Sequence, residues 1–145
     1  MKLSIEEIKK LLPHRDPFLL IDSCEIINLG TEGRGFKKFL GKEYFFQGHF
    51  PNNPIVPGVI LIESLAQTAG TVISHSFANQ KEKTVLFMSV SNAKFRKPVL
   101  PDDQLIFEVK LINQFKSVYK FYGEAIRNTE KVCEAVYSAM IIDKK

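Results

Sequence analysis

The residues best suited to chemistry lie between Phe45 and Gly70, in the sequence FFQGHFPNNPIVPGVILIESLAQTAG. His49 belongs to a loop rich in proline and glycine, and such a loop restricts how far a side chain can move. The apolar stretch after this loop has helical character and carries one carboxylate, Glu63, near its beginning. A base and an acid on either side of a helix N-terminus, in apolar surroundings, suit proton transfer on an apolar substrate.

The backbone at the start of this helix adds a third chemical element. The N–H groups of Gly58 and Val59 have no acceptor within the helix, so they can stabilise an enolate oxygen. Gly58 also lets a substrate come close to the backbone. With His49 taking an α-proton and Glu63 helping a β-hydroxyl leave, the set fits elimination of water β to a thioester carbonyl.

This chemistry needs neither a metal nor a cofactor. The three histidines are scattered, and neither cysteine lies at ligand spacing to one of them. The chain also has no nucleotide-binding loop of the GxGxxG or Walker type.

Each of these features has a plainer interpretation. A lone histidine is more often structural than catalytic, and a carboxylate on a helix is commonly a surface residue. The twelve phenylalanines can simply fill a core, although an apolar tunnel would use them as well. The glycine and prolines around His49 favour a fixed, functional side chain, and the apolar neighbours of Glu63 argue against its full exposure.

The pattern from about Gly58 to Phe77 predicts a helix that is apolar almost all round. Such a helix is buried on most sides or spans a membrane. Glu63, Gln67 and His75 argue against the membrane, so we expect a central core helix. Pro57 fits the first position of this helix, where a missing N–H costs nothing.

The remaining pattern predicts a sheet around this helix. A short helix with an apolar face begins at Ser4, and prolines come after it. The stretch Asn28–Gly35 has the composition of a turn, and Gly41–Pro57 that of a loop. Strands are predicted over Phe18–Ile27, Phe36–Leu40, Val85–Phe95, Leu105–Leu111, Val118–Glu124 and Val132–Ile142. The prediction is an α+β domain spanning residues 1–145, in which an antiparallel sheet of about six strands wraps around one long helix.

Composition limits the partners and the compartment. The formal net charge is +4 and the isoelectric point is about 9.0, but the basic residues are scattered and no nucleic-acid motif accompanies them. A mildly basic surface suits an acidic protein partner through electrostatic steering, and an ordinary solvated surface is the plainer alternative. Two isolated cysteines and no secretory signal or membrane span predict reduced thiols in a cytoplasmic protein.

Four segments together resemble a known family across nearly the whole chain. The sequence is similar to the (3R)-3-hydroxyacyl-[acyl-carrier-protein] dehydratases of bacterial type II fatty acid synthesis, the FabZ type. The segments are LLPHRDPFLLID (Leu11–Asp22), the block Phe45–Gly70, AKFRKPVLPDDQL (Ala93–Leu105) and VCEAVYSAMI (Val132–Ile141).

This resemblance implies a hotdog fold and a specific reaction. The product would be a trans-2-enoyl chain, still attached to the 4′-phosphopantetheine of acyl carrier protein. His49 and Glu63 would be the catalytic pair, contributed by opposite subunits of a homodimer, and the dimers would assemble further into a trimer of dimers. Family members that also isomerise the alkene typically carry Asp at the acid position, so Glu63 favours plain dehydration.

The resemblance also implies a tunnel for the acyl chain and a docking surface for the acidic carrier. The candidate tunnel residues are Phe46, Phe50, Ile62 and Phe87. The candidate docking residues are Lys94, Arg96 and Lys97, although a generic basic surface explains these three nearly as well.

Some positions depart from the family pattern or have no assigned role. Asp102 stands where the family usually has glycine, Asn52–Asn53 replaces a pair that usually contains glycine, and Asn92 stands where an acidic residue is common. These departures concern docking more than chemistry. The residues His14–Asp16 belong to the similar segment without a clear function, and a structural turn near the dimer interface is their default interpretation.

Two other classes of function stay open at this level. One is a hotdog thioesterase or an enoyl-CoA hydratase acting on coenzyme A thioesters, although thioesterases usually place their carboxylate differently. The other is a non-catalytic acyl-binding sensor. Such a protein should have lost His49 or Glu63, and this chain keeps both.

Overall fold

A computed structural model describes residues 1–77 and 82–143 of the chain. Its centre is helix α2, Gly58–Ser76, which begins and ends within one residue of the predicted bounds. Every side chain from Ile60 to Ser74 is buried except that of Glu63. The prediction of a central buried helix is therefore confirmed.

Four of the five buried polar side chains of α2, those of Ser64, Gln67, Thr68 and Thr71, have hydrogen-bond partners, whereas the Ser74 hydroxyl has none in the described structure. The hydroxyl groups of Ser64, Thr68 and Thr71 each donate to the backbone carbonyl four residues earlier, at 2.9, 2.9 and 2.8 Å. Hydrogen bonds of this kind satisfy a hydroxyl group within its own helix. A helix that contains these polar residues can thus lie inside an apolar core.

The other elements form one sheet and two short helical segments. A helix α1 spans Ile5–Lys9, and a 3₁₀ turn spans Tyr44–Gln47. The strands are β1 Lys2–Leu3, β2 Ser23–Asn28, β3 Glu32–Lys38, β4 Lys83–Phe95, β5 Gln104–Phe115, β6 Val118–Arg127 and β7 Glu130–Asp143. Their order in the sheet is β1-β2-β3-β5-β6-β7-β4, and all neighbours are antiparallel.

Helix α2 packs against strands β2 to β7, so the sheet curves around it. This is the predicted hotdog arrangement. The sheet has seven strands in the described part of the chain, one more than the six expected. The additional strand, β1, has only two residues and is too short to produce an alternating pattern that sequence analysis could detect.

The first predicted strand, Phe18–Ile27, is wrong in its first half. The strand β2 begins only at Ser23. The preceding residues lie along α2 instead, where the side-chain amide of Gln67 bonds to the backbone of Phe18 and Leu20. Apolar content alone cannot distinguish this buried extended segment from a strand.

The predicted turn Asn28–Gly35 is also wrong in its second half, since β3 already begins at Glu32. Two glycines lie within β3 because α2 passes very close to it. A Cβ atom at Gly33 would lie 2.4 Å from a methyl carbon of Val72, and one at Gly35 would lie 2.2 Å from the hydroxyl oxygen of Thr68. These glycines therefore serve helix–sheet packing rather than a turn.

The short N-terminal helix begins as predicted but is shorter than its apolar pattern. The Ser4 side chain accepts a hydrogen bond from the Glu7 N–H, and the Glu7 carboxylate accepts one from the Ser4 N–H, which forms a capping box. The helix ends at Lys9, so Leu11 and Leu12 lie beyond it, and both are buried in the core.

Strand β4 lies at the edge of the sheet and pairs only with β7 in the described residues. Large apolar side chains of this strand are exposed, namely Leu86, Phe87, Met88, Val90 and Phe95. An edge strand with exposed apolar side chains is suited to pairing with another chain.

In the described ranges, neither helix combines the length and hydrophobicity needed to cross a membrane.

The close approach of α2 to β3 predicts that Gly35→Ala destabilises the fold. The new methyl group would overlap Thr68, and overpacking of this kind costs about 1–3 kcal/mol in free energy of unfolding. Gly48→Ala is the matched control, because a Cβ atom there meets nothing within 4 Å. Urea unfolding at equal protein concentrations measures both changes, and equal midpoints for the two variants would contradict the packing role of Gly35.

Candidate active site

His49 is held by a hydrogen bond that defines its chemistry. Its Nδ1 lies 2.8 Å from the carbonyl oxygen of Ile55. Because a carbonyl can only accept, Nδ1 carries a proton, and in the neutral imidazole the opposite ring nitrogen, Nε2, then has a free lone pair. The ring also stacks on Phe50, with centroids 4.2 Å apart. The hydrogen bond and the stacking together fix the orientation of the candidate base.

Backbone hydrogen bonds fix the loop that carries His49. Ile55 N–H donates back to the His49 carbonyl at 2.9 Å, and Phe50 and Asn53 exchange a pair of bonds of 3.1 and 3.0 Å. Val56 N–H donates to the carbonyl of Val99 at 2.8 Å, which joins the loop to the segment after β4. Backbone bonds as well as prolines therefore restrict this loop.

His49 and the N-terminus of α2 line the same cavity, which has a volume of about 420 Å³. The lining is mostly apolar and consists of His49, Ile55, Val56, Gly58, Val59, Leu61, Phe95, Arg96, Lys97, Pro98 and Val99. The candidate base and the N-terminal residues Gly58 and Val59, whose N–H groups have no acceptor within the helix, thus border the space for one bound molecule.

The reason for glycine at position 58 differs in part from the expectation. A Cβ atom there would lie 2.6 Å from a ring carbon of Phe95. Glycine at this position therefore allows the Phe95 ring to pack against the N-terminus of α2. Sequence analysis assigned no role to Phe95, and an aromatic residue at the end of a strand gives no signal of such a contact.

Glu63 is absent from the described lining of the His49 cavity. Its Oε2 accepts a hydrogen bond of 3.0 Å from the side-chain amide of Gln67 and lies 3.4 Å from Nε2 of His14. Its side chain is 20% exposed. Within one chain, the acid thus has a different set of neighbours from the base.

From the sequence, His14 was interpreted only as part of a structural turn near the dimer interface, and Gln67 had no functional role. Gln67 comes four residues after Glu63 on a helix, and side chains at this spacing are neighbours, so this contact could have been anticipated. His14 lies far away in the sequence, and only the fold brings it to the carboxylate.

The four candidate tunnel residues occupy three different environments. Phe50 lies against the His49 ring. Phe46 and Ile62 are buried in the core, where Phe46 packs on Phe45 with centroids 4.7 Å apart. Phe87 is exposed on β4 and contacts the edge of Tyr137. One chain therefore brings only Phe50 directly to the candidate base.

Two of the three candidate docking cations line the cavity and have acidic partners in the same chain. Arg96 pairs with Glu134, and Lys97 pairs with Glu130 at 2.9 Å. Lys94 is exposed and lies opposite Glu134 in the register of β4 and β7.

Arg127 stabilises the wall of the cavity by bonding to one of its residues, Pro98. Nothing in the sequence indicated this contact. Its guanidinium donates to the carbonyl of Pro98 at 2.8 Å and to the carboxylate of Asp103 at 2.7 Å. Asp103 also accepts from Leu100 N–H at 2.9 Å. Asp102 has a φ of +72°, which explains why glycine would suit this turn.

The partner of Arg96 belongs to a charged network on the outer face of the sheet. Hydrogen bonds from Lys131, Arg96 and Tyr122 lower the pKa of Glu134 to about 2. Burial raises the pKa of Tyr122 to about 12, and its bonds to Glu124 and Glu134 act in the same direction. Arg96 is thus held by a carboxylate that stays ionised in moderately acidic solution.

This network predicts a specific dependence of stability on pH. Because the pKa of Glu134 is about 2 in the folded chain and 4.5 as its ordinary value, its contribution is complete above pH 4.5 and is lost as the pH falls through about 2. Glu134→Gln should therefore lower stability at neutral pH and flatten its decline in this window. Thermal unfolding from pH 7 to pH 2 measures this, with the exposed Glu6→Gln as the control; parallel curves for Glu134→Gln and wild type would contradict it.

Known proteins match the chain over almost its full length. A family profile described as "FabA-like domain" matches residues 12–136. The chain is 44% identical over 144 residues to "3-hydroxyacyl-[acyl-carrier-protein] dehydratase FabZ" of Paramagnetospirillum magneticum, covering 99% of this chain and 89% of that protein. It is 45% identical over 141 residues to "Bifunctional enzyme LpxC/FabZ" of Chlorobaculum tepidum, covering 97% of this chain and 30% of that longer protein.

A solved structure supports the fold. "The Dehydratase Heterocomplex ApeI:P from Xenorhabdus doucetiae" is similar to this chain with a TM-score of 0.77, covering 94% of this chain and 91% of that one. The sequence identity is 16%, so the similarity demonstrates a shared architecture and no more.

Proposed function

This chain belongs to the FabZ-type 3-hydroxyacyl-[acyl-carrier-protein] dehydratases, within the FabA-like family, and from that premise we propose its reaction. It removes water from a (3R)-3-hydroxyacyl chain on acyl carrier protein and yields the trans-2-enoyl chain in type II fatty acid biosynthesis. The observation that carries this function is the orientation of His49, whose Nδ1 is bound to the Ile55 carbonyl beside the N-terminus of α2.

The proposed mechanism uses the free nitrogen of His49 as the base. His49 Nε2 takes the proton from Cα of the thioester, and the N–H groups of Gly58 and Val59 stabilise the developing enolate oxygen. The electron pair then forms the Cα=Cβ double bond while the Cβ–O bond breaks. Glu63 supplies the proton with which the β-hydroxyl leaves as water. No metal or cofactor takes part in this scheme.

We propose that each site combines His49 of one subunit with Glu63 of its partner in a homodimer. Two observations support this. Glu63 is not among the described residues that line the His49 cavity, and the apolar edge strand β4 offers a surface for pairing with a second copy. Because Glu63 is the one residue between Ile60 and Ser74 of α2 that escapes burial, a partner subunit can reach it. We further propose a trimer of dimers as the assembly.

We propose that the acyl chain enters a tunnel completed by dimerisation. Phe50 contacts the base, whereas Phe87 lies on the edge strand that would pair with the partner. Phe46 and Ile62 are the buried apolar residues nearest in sequence to the two catalytic side chains. Such a tunnel would hold the chain and its phosphopantetheine arm in place while the thioester reacts.

The carrier protein would dock on the cations beside the cavity. We propose that Lys94, Arg96 and Lys97 attract the acidic carrier through long-range electrostatics. Lys97 and Glu130 form an exposed ion pair, with side chains 53% and 44% exposed. Exposed pairs contribute little energy, so a carboxylate of the carrier can replace Glu130.

We place the protein in the cytoplasm, in agreement with a carrier-dependent reaction.

The reaction is tested by the turnover of a carrier-linked 3-hydroxyacyl substrate, measured as formation of the enoyl product. Wild-type protein should be active. His49→Ala should lower kcat/KM by about 10²–10⁴-fold because it removes the base, and Glu63→Gln should cause a loss of similar size. Both variants should unfold at the wild-type temperature. Near-wild-type turnover by His49→Ala would contradict the mechanism.

Mixing the two inactive variants tests whether the site is shared. Co-refolding equal amounts gives heterodimers in which one of two sites has both His49 and Glu63. If sites are shared, about a quarter of the wild-type activity returns, since half of the dimers are mixed. If each chain holds its own complete site, no activity returns.

Charge reversal tests the docking surface. Lys94→Glu together with Lys97→Glu should raise KM for carrier-linked substrates, because repulsion weakens the encounter with an acidic protein. KM for a small thioester of the same acid should stay unchanged. Lys9→Glu together with Lys10→Glu, at the end of α1, changes the net charge by the same amount and is the control. Equal effects on both substrates, or an equal effect of this control, would argue against docking at this site.

A further inference from the structure

We propose that His14 is a positioning residue for Glu63. Together with Gln67 it holds one oxygen of the carboxylate, so that the other oxygen faces the substrate. This inference rests on the proposed function of Glu63 as the acid, and it gives a role to the segment His14–Asp16, for which sequence analysis had none.

The contacts of Glu63 are concentrated on one oxygen. The amide nitrogen of Gln67 and the Nε2 atom of His14 both approach Oε2, at 3.0 and 3.4 Å. An oxygen that accepts a hydrogen bond from Gln67 and lies beside the His14 ring restricts the rotation of the carboxylate about its last bond. The second oxygen, Oε1, is then presented in a fixed direction, as a proton donor to a leaving hydroxyl requires.

Both the oxygen and the nitrogen of the Gln67 side-chain amide form hydrogen bonds. The residue is fully buried. Its Oε1 accepts from Leu20 N–H at 2.7 Å, and its Nε2 donates to the carbonyl of Phe18 at 2.9 Å and to Glu63. An amide has two N–H donors, and each has one acceptor here. Gln67 therefore offers its N–H to Glu63 in a single orientation.

The backbone around His14 is fixed by the next side chain. The guanidinium of Arg15 donates to the carbonyl oxygens of Lys9, Leu12 and His14, at 2.9, 2.8 and 2.7 Å. Phe18 N–H donates to the Arg15 carbonyl at 2.7 Å. Arg15 thus ties the end of α1 to the loop and fixes the backbone from which the His14 ring reaches Glu63.

The environment of the His14 ring indicates which nitrogen carries the proton. Its side chain is 15% exposed. Nδ1 is buried and has no hydrogen-bond partner in the described structure, whereas Nε2 faces an acceptor, the Glu63 carboxylate. An N–H group at Nε2 points towards this acceptor, whereas an N–H group at Nδ1 would be buried without any acceptor, which costs free energy. His14 therefore acts towards Glu63 as a donor.

The experiment compares His14→Leu with His14→Gln in the wild-type and Glu63→Gln backgrounds. The amide nitrogen of a glutamine can take the place of Nε2, whereas leucine removes the donor and keeps the bulk. Using a small 3-hydroxyacyl thioester, we expect His14→Leu to lower kcat by about 10–100-fold with KM changed less than about twofold. His14→Gln should recover most of the loss. In the Glu63→Gln background, His14→Leu should cause no further loss.

Three kinetic outcomes would overturn the proposal. They are an equal loss from His14→Leu in both backgrounds, a change in KM alone, and a failure of His14→Gln to exceed His14→Leu. The first would mean that His14 acts without Glu63.

A structural readout separates this inference from the proposed reaction. A crystal structure of the wild type should contain Glu63 in one rotamer with Oε2 on His14 and Gln67, and His14→Leu should leave that carboxylate in several orientations. An unchanged, single orientation in His14→Leu would overturn the positioning role whether or not the enzyme turns over. Wild-type protein that lacks turnover but passes this structural test would instead refute the proposed function.

Discussion

Burial of α2 on nearly every side is the constraint on which the structure depends. Three of its buried hydroxyl groups bond within the helix, and β3 can approach it because Gly33 and Gly35 have no side chain. A helix enclosed in this way can offer polar groups to a ligand only where the enclosure ends. It ends at both termini of the helix and at Glu63, and the proposed chemistry is assigned to two of these positions, the first turn and Glu63.

The two halves of the candidate chemistry are therefore supported by different parts of the chain. The loop before α2 and the segment after β4 hold His49 and the helix N-terminus, joined by the bond between Val56 and Val99. The N-terminal segment places His14 beside Glu63, and through Phe18 and Leu20 it orients Gln67, which donates to Glu63. Each functional side chain thus depends on residues distant in the sequence, so that the sheet and both flanking segments must be in place before the site exists.

Local pattern in the sequence was sufficient to predict α2 and the two candidate catalytic residues, but not the features that tertiary contacts decide. The bounds of α2 could be predicted because its apolar run is long and Pro57 precedes it. The first two strands were misplaced because Phe18 and its neighbours bond to Gln67 rather than to a strand, and because glycines that relieve a clash have the same composition as a turn. His49 and Glu63 could be singled out from their neighbours in the chain. The packing of Phe95 on Gly58 and the brace at Arg127 could not, since both join residues far apart in sequence.

The exposed apolar edge of β4 has a consequence for how the chain is produced. An isolated copy presents unpaired backbone groups beside Leu86, Met88 and Val90, and such an edge can recruit any extended polypeptide. In the proposed homodimer this edge is covered, so aggregation and dimerisation compete for the same surface. Dilution during refolding slows both encounters, whereas for a monomer it slows aggregation alone.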